Sequence, residues 1–238
     1  LLLPEEQALF PKLSIFVGRF FPEDVAQVCG VATASGLLDS LRGQSLLVWE
    51  ESLGKTRYRM LPTVREYAAD RLGNLTAELR RRHAEHFLEI LDRADNQIRG
   101  KEQMVGIARI TADLDNIRSG METAIEVRDH RMVVRYSQAF GEFLQMKARF
   151  AELLMRNQQG LTTAQVLDDV QLIAGCQNNL GIAYANLPTG DRGANLKKAI
   201  GCHEAALRVY TEHDFPVQWA MTQNNLGAAY AKLPIGDR

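Results

Sequence analysis

Residues 177–192 read QNNLGIAYANLPTGDR and residues 223–238 read QNNLGAAYAKLPIGDR, with 13 of 16 positions identical at an offset of 46. A fixed period between about 20 and 50 residues marks stacked units, because one unit alone cannot bury its apolar face. In the first copy, Leu180, Gly181 and Tyr184 fall on a predicted helix over 169–187. A long loop over 188–193 leads to a second helix over 195–212, which carries Ala199, His203 and Ala206 at steps of four and three. Small residues at Gly181, Ala199 and Ala206 allow paired helices to approach closely, and Leu and Tyr side chains fill the gaps. A stack of this kind offers a long groove rather than a catalytic pocket, which points to a protein that holds other proteins.

Upstream of the repeat, residues 74–165 read as long helices. The segment 103–127 places Ile107, Ile110, Leu114, Ile117, Met121 and Ile125 at steps of three and four, the spacing of one buried helix face. The segment 76–98 carries His83, Phe87, Ile90 and Leu91 on its stripe, and Gly100 separates the two helices. A further helical pair is predicted over 131–147 and 150–159, with a joint at Gly160-Leu161-Thr162-Thr163.

Residues 1–73 mix short helices with a strand pair. A helix over 4–13 opens at Pro4, with Glu5 and Glu6 suiting the positive end of its dipole. A second, over 23–29, is stopped by Gly30, and a third, capped by Thr33 or Ser35, carries Leu37, Leu38 and Leu41. The runs 45–49 and 56–61 then predict a hairpin, the second alternating basic and apolar residues as a strand with one wet face. Pro62 starts a closing helix through Val64, Tyr67, Ala68 and Leu72. Helices, a two-stranded wing and a closing helix describe a winged-helix domain.

Composition excludes several classes. The 238 residues carry 28 Lys and Arg against 29 Asp and Glu, a formal net charge of −1. Cut into 1–73, 74–160 and 161–238, the basic and acidic counts are 8 and 9, 14 and 13, and 6 and 7. No segment has the basic excess that phosphate contacts require, so DNA is disfavoured as a partner. Cys29, Cys176 and Cys202 lack zinc or disulfide spacing and read as buried thiols in a reducing compartment. No apolar run is long enough to span a membrane and the N-terminus lacks signal-peptide features, so a cytoplasmic location is expected. The chain has no initiator Met and stops within its second repeat, so both ends are expected to be cuts from a longer protein.

The Leu-Gly-x-x-Tyr of the first repeat helix and the Ala-x3-His-x2-Ala of the second resemble the tetratricopeptide repeat, with a period of 46 in place of 34. LLDSLRGQSLLVWEE followed by KTRYRMLPTVREYAADRL resembles the winged-helix segment of signal-transducing multidomain NTPases, the STAND group that includes NB-ARC proteins and large bacterial transcriptional regulators. RHAEHFLEILDRAD and DLDNIRSGMETAI resemble the helical region that follows there. The fold so implied is mainly α: a winged-helix domain with a small β-hairpin over 1–73, a helical bundle arm over 74–165, and a tetratricopeptide-like α-solenoid over 166–238. The resemblance also implies ATP or ADP on an upstream nucleotide-binding domain, with no cofactor in this segment, and a repeat groove that senses a protein or peptide inducer. The alternatives are a DNA-binding winged-helix regulator and a passive tetratricopeptide scaffold.

Several motifs bear on chemistry. Gly54-Lys55-Thr56 is not a phosphate loop, because Trp49 stands where the first glycine belongs and the triplet joins two strands. Lys55, Arg57 and Arg59 on the second strand would make either a contact to a neighbouring domain or a DNA-contacting wing. His83 and His86 share a helix face but lack further ligands nearby, so a structural pair is expected and no metal. No catalytic constellation stands out, so no enzymatic activity is expected of this segment. Asn178-Asn179 and Asn224-Asn225 recur one repeat apart. The tetratricopeptide resemblance implies that Asn179 and Asn225 first, and Asn178 and Asn224 beside them, hydrogen-bond the backbone of a bound peptide. The other reading has these carboxamides bonding the neighbouring helices.

Overall fold

The computed structural model describes residues 2–233. The end of the second repeat phrase, 234–238, lies outside the described residues. The chain forms two compact units, Leu1–Arg128 and Asp129–Arg238, a division that falls inside the expected arm. With 74% of the residues helical and a two-stranded antiparallel sheet, the fold is mainly α, as the sequence predicts.

In the first unit, α1 (Pro4–Leu9) passes into a 3-10 turn at Phe10–Ile15, followed by α2 (Pro22–Cys29) and α3 (Ala34–Gly43). Proline opens α1 and α2, where its missing N–H would have had no partner. The helix expected over 4–13 stops early because Pro11 cannot donate to the preceding turn. Strands β1 (Val48–Ser52) and β2 (Lys55–Arg59) pair from Val48↔Arg59 to Ser52↔Lys55. Leu53 and Gly54 join them with φ of 53° and 70°, the two positive φ values of a type I′ hairpin turn. That tight turn sets the strands closer to it than the predicted 45–49 and 56–61.

After α4 (Pro62–Ala69), two long helices, α5 (Thr76–Arg99) and α6 (Gln103–Glu126), pack along each other. They approach closely at Gly106, where a Cβ would meet the Ala94 carbonyl and lie 2.9 Å from Ile98 Cγ1. Phe16 packs in the core against Phe20 at a tilt and edge-on against Phe87 of α5, with ring centroids 4.6 and 6.2 Å away. The backbone of Phe20 exchanges two 2.9 Å hydrogen bonds with Tyr58, adding a third edge to the wing.

The second unit is helical throughout its described residues: α7 (His130–Ala139), α8 (Gly141–Met146), α9 (Phe150–Val166), α10 (Val170–Asn186), α11 (Arg192–Leu207) and α12 (Pro216–Ala231). The joint predicted at 160–163 is absent. α9 runs straight through it because Gly160 is a contact point: a Cβ there would lie 2.6 Å from Ser137 Oγ on α7. The chain turns at Ala148, in the gap between the predicted helices 131–147 and 150–159, and at Asp168, just before the helix predicted from 169; both have φ of 53°, and the N–H groups of Arg149 and Asp169 close back on Leu144 and Ala164. Asp169 and Asp191 cap the helices that follow, accepting from the N–H groups of Leu172 and Ala194. The two near-identical phrases thus begin in the same kind of element, α10 and α12, with α11 between them. Ala185, Leu196, Ala199, Ile200, Ala229 and Leu233 form the core these three helices share.

Candidate functional site

The asparagines of the repeat lie in a line of hydrogen bonds across the second unit. Asn179 Nδ2 donates to Asn157 Oδ1 at 3.3 Å, joining α10 to α9, and Asn157 is fully buried. Asn178 Oδ1 accepts from Asn225 Nδ2 at 3.3 Å and lies 3.1 Å from His203 Nδ1, so one carboxamide ties α10 to both α12 and α11. With an acceptor facing Nδ1, the His203 proton sits on that nitrogen and the Nε2 lone pair is left without a partner among the described residues. Burial pushes the imidazole down to about 4, which keeps it neutral. The ring lies against Gly181, where a Cβ would come within 2.6 Å of Nε2.

Asn178, Asn179 and Asn225 are therefore brought together by side-chain bonding between helices, each of them half-buried. Asn224 points away from this line and is exposed. The three clustered carboxamides meet neighbouring helices through one or two atoms each. Asn225 uses Nδ2 in its bond to Asn178, and its carbonyl oxygen is the acceptor that an extended peptide could use.

The wing cations are placed differently from one another. Lys55 is exposed, with Nζ 2.5 Å from Glu23 Oε1 on α2, and Arg59 is half-buried opposite Val48. Arg57, expected on the wet face of its strand, is 2% exposed. Its Nη2 donates to Asp113 Oδ1 at 2.8 Å and to the Arg19 carbonyl at 2.9 Å, and Nη1 donates to the Ala112 carbonyl at 2.8 Å. The guanidinium stacks on Phe21 at 4.6 Å. The wet-face alternation fails at this position because α6 covers it and Asp113 compensates the charge. Arg57 makes a structural contact to the helical hairpin and has no reach to a DNA phosphate.

Asp113 belongs to a buried polar stripe on α6 that packs against the wing and α2. Arg109 Nε lies 2.5 Å from Asp113 Oδ2, and Arg109 Nη2 reaches Asp24 Oδ1 at 3.2 Å. His86 Nε2 lies 2.9 Å from the same Asp24 oxygen. Burial acts to raise Asp24, but the His86 contact, the Phe21 N–H and Arg109 outweigh it and hold the carboxyl below its usual range. For Asp113, burial wins over Arg109 and Arg57 and pushes the carboxyl up to about 6. One turn further, Asn116 Oδ1 accepts from Val17 N–H at 3.0 Å and faces His83 Nε2 at 3.2 Å, while its Nδ2 donates to the Arg19 carbonyl. His83 and His86 thus have separate partners. Among the described residues no group of three or more His, Cys, Asp or Glu side chains could hold a metal ion. The step of three from Asp113 to Asn116 inside an otherwise apolar helix face marks the α6 part of this cluster, but not its partners on α2 and α5.

No helix among the described residues is long and apolar enough to cross a membrane. No family model matches the chain, and no solved structure matches it. Over 128 residues the chain is 36% identical to proteins of Mycobacterium tuberculosis and Mycobacterium bovis that bear the provisional name HTH-type transcriptional regulator. The match takes in 50% of this chain and 14% of each relative, so the chain spans about one seventh of the length of these curated relatives.

Proposed function

We propose that this chain is the regulatory and recognition segment of a bacterial multidomain signalling NTPase of the STAND type. Its tetratricopeptide-like repeats take a protein or peptide inducer, and the winged-helix and helical-arm region relays that event to an upstream domain carrying ATP or ADP. The chain itself contributes recognition and no catalysis. The observation that carries the reading is the folding of the duplicated phrase into α10 and α12, joined through Asn178 and Asn225. Serial helices that repeat their own contacts build an extended surface. The Arg57–Asp113 bond supports the relay, since it obliges the wing and α6 to move together. Such coupling requires the inducer to bind one global state better than the other.

The experiment is removal of residues 166–238 from the full-length protein. Loss of the inducer response with the nucleotide site intact is expected, and an unchanged response would overturn the reading. Partner affinity measured on ATP- and ADP-loaded protein separates a switch from a passive scaffold, for which the two affinities are equal.

A second reading, operator binding by the winged helix, is favoured by the names of the mycobacterial relatives. The burial of Arg57 weakens it, because the wing then offers Lys55 and Arg59 without the cation between them. Fluorescence anisotropy at low salt tests it: an operator complex is tight and weakens steeply with salt.

A further inference from the structure

The first unit contains a groove that the regulatory reading leaves unused. It lies between the wing tip, α2, α5 and α6, has a cavity volume of about 590 Å³, and falls in the size range of small-molecule sites. Phe21, Leu53 and Met104 give it apolar walls, and Lys55, Arg93 and Arg109 line it with positive charge. No Asp or Glu is among its lining residues. The charge is not uniform in availability. Lys55 is engaged by Glu23, and Arg109 is shared between Asp24 and Asp113. Arg93, exposed on α5 and part of the groove lining, donates Nε to the Glu89 carbonyl at 3.2 Å, a bond that does not use the two terminal nitrogens of the fork.

The wing tip supplies an independent observation. Leu53 occupies the first central position of the hairpin turn with φ of 53°, a left-handed conformation that Asn, Asp or Gly adopts at far lower cost. A leucine there is strained by about 1 kcal/mol and 51% exposed, so local folding does not account for its presence. Strain held at an exposed apolar residue beside a cavity is the pattern of a residue kept for contact. Met104, 73% exposed, is a second apolar side chain of the same lining.

From these features we infer that the groove binds a small organic acid with an apolar body, its carboxylate held by Arg93 and its hydrocarbon part lying between Leu53 and Met104. Guanidinium and carboxylate match as a planar pair of hydrogen bonds. No carboxylate lines the groove itself, and those that adjoin it, Glu23, Asp24 and Asp113, are paired with Lys55 and Arg109. The site is a second input to the protein, separate from the repeats, and does not depend on how the repeats function.

The test is a titration of the purified chain with decanoate, decanol and decylamine, followed by backbone NMR shifts. Decanoate should bind at least ten-fold more tightly than either analogue, with shifts confined to the wing tip, α5 and α6. Arg93→Glu should remove the preference for decanoate, Met104→Glu should weaken it at least ten-fold, and Lys12→Glu, outside the groove, should leave it unchanged. All three positions tolerate substitution without loss of the core, which circular dichroism would verify. Equal binding of the three compounds, equal decanoate affinity in Arg93→Glu, shifts elsewhere, or no binding at millimolar concentration would each overturn the inference. Capture of an acidic peptide by a groove that ignores decanoate would overturn it in favour of a protein partner.

Discussion

Arg57 Nη2 on the wing lies 2.8 Å from Asp113 Oδ1 on α6, with both side chains out of solvent. Desolvating two charges costs several kcal/mol, and their attraction offsets that only while both are present. Arg109 also bonds Asp113, so Arg57→Met leaves the carboxylate partly compensated and should cost about 3 kcal/mol. Asp113→Leu strands a buried guanidinium and should cost about 5 kcal/mol. The double variant Arg57→Met/Asp113→Leu should be more stable than the sum of the single losses allows. Urea unfolding of the three variants measures this, and simple additivity would show that the wing and α6 are not coupled through this pair.

Two glycines at the same repeat position should respond in opposite ways. At Gly181 a Cβ would press on the buried His203 ring from 2.5 to 2.7 Å, and the ring has no room to withdraw. Gly181→Ala should therefore cost about 1–3 kcal/mol. At Gly227, 46 residues later, no atom lies within 4 Å of the added methyl. There Gly227→Ala should stabilise this chain by about 0.5–1 kcal/mol, because alanine is the better helix former. Thermal melts of the two variants decide it, and a shift of the same sign in both would contradict the packing described.

The asparagine pairs divide in the same manner. Asn178→Ala removes the acceptor from His203 Nδ1 and from Asn225, and should cost about 1–3 kcal/mol. Asn224→Ala touches an exposed side chain and should stay within about 0.5 kcal/mol of the parent. Denaturation midpoints check both. A large loss at Asn224 would mean that it has a structural task, which would remove it from the peptide-facing set.

Where the sequence was informative, one physical signal controlled the outcome. The steps of three and four over 103–127 and the 46-residue offset both report burial periodicity, and α6, α10 and α12 follow from them. Arg57 was misread because alternation reports only which face a residue occupies, and the face expected to be wet is covered by a helix some fifty residues away. Gly160 was misread for a related reason: glycine breaks a helix or lets another helix approach, and only the position of Ser137 distinguishes the two. The breaks at Ala148 and Asp168 fall in the gaps left between the predicted helices, after 147 and before 169, although Ala148 has no left-handed preference that would announce its turn. The latch of Asp24, His86, Arg109 and Asp113 joins three helices, and no local pattern announces that.

The last expectation concerns acid. His203 Nδ1 already carries its proton towards Asn178, so protonation would place a second proton on Nε2, which faces the Gly181 backbone with no acceptor. Burial accordingly moves the imidazole from the ordinary 6.5 down to about 4. Between those values the unfolded chain binds a proton that the folded chain refuses, so stability is fully present above about 6.5 and declines as pH falls towards 4. A displacement of this size corresponds to about 3 kcal/mol at full protonation of the unfolded state. The C2 proton of His203 should titrate near 4 by NMR, and His203→Gln should make the fall of the melting temperature across that window shallower, with the remainder due to the buried His83, which burial likewise pushes down to about 4. A midpoint near 6.5 would show that the ring is hydrated and that α10 and α11 do not close over it.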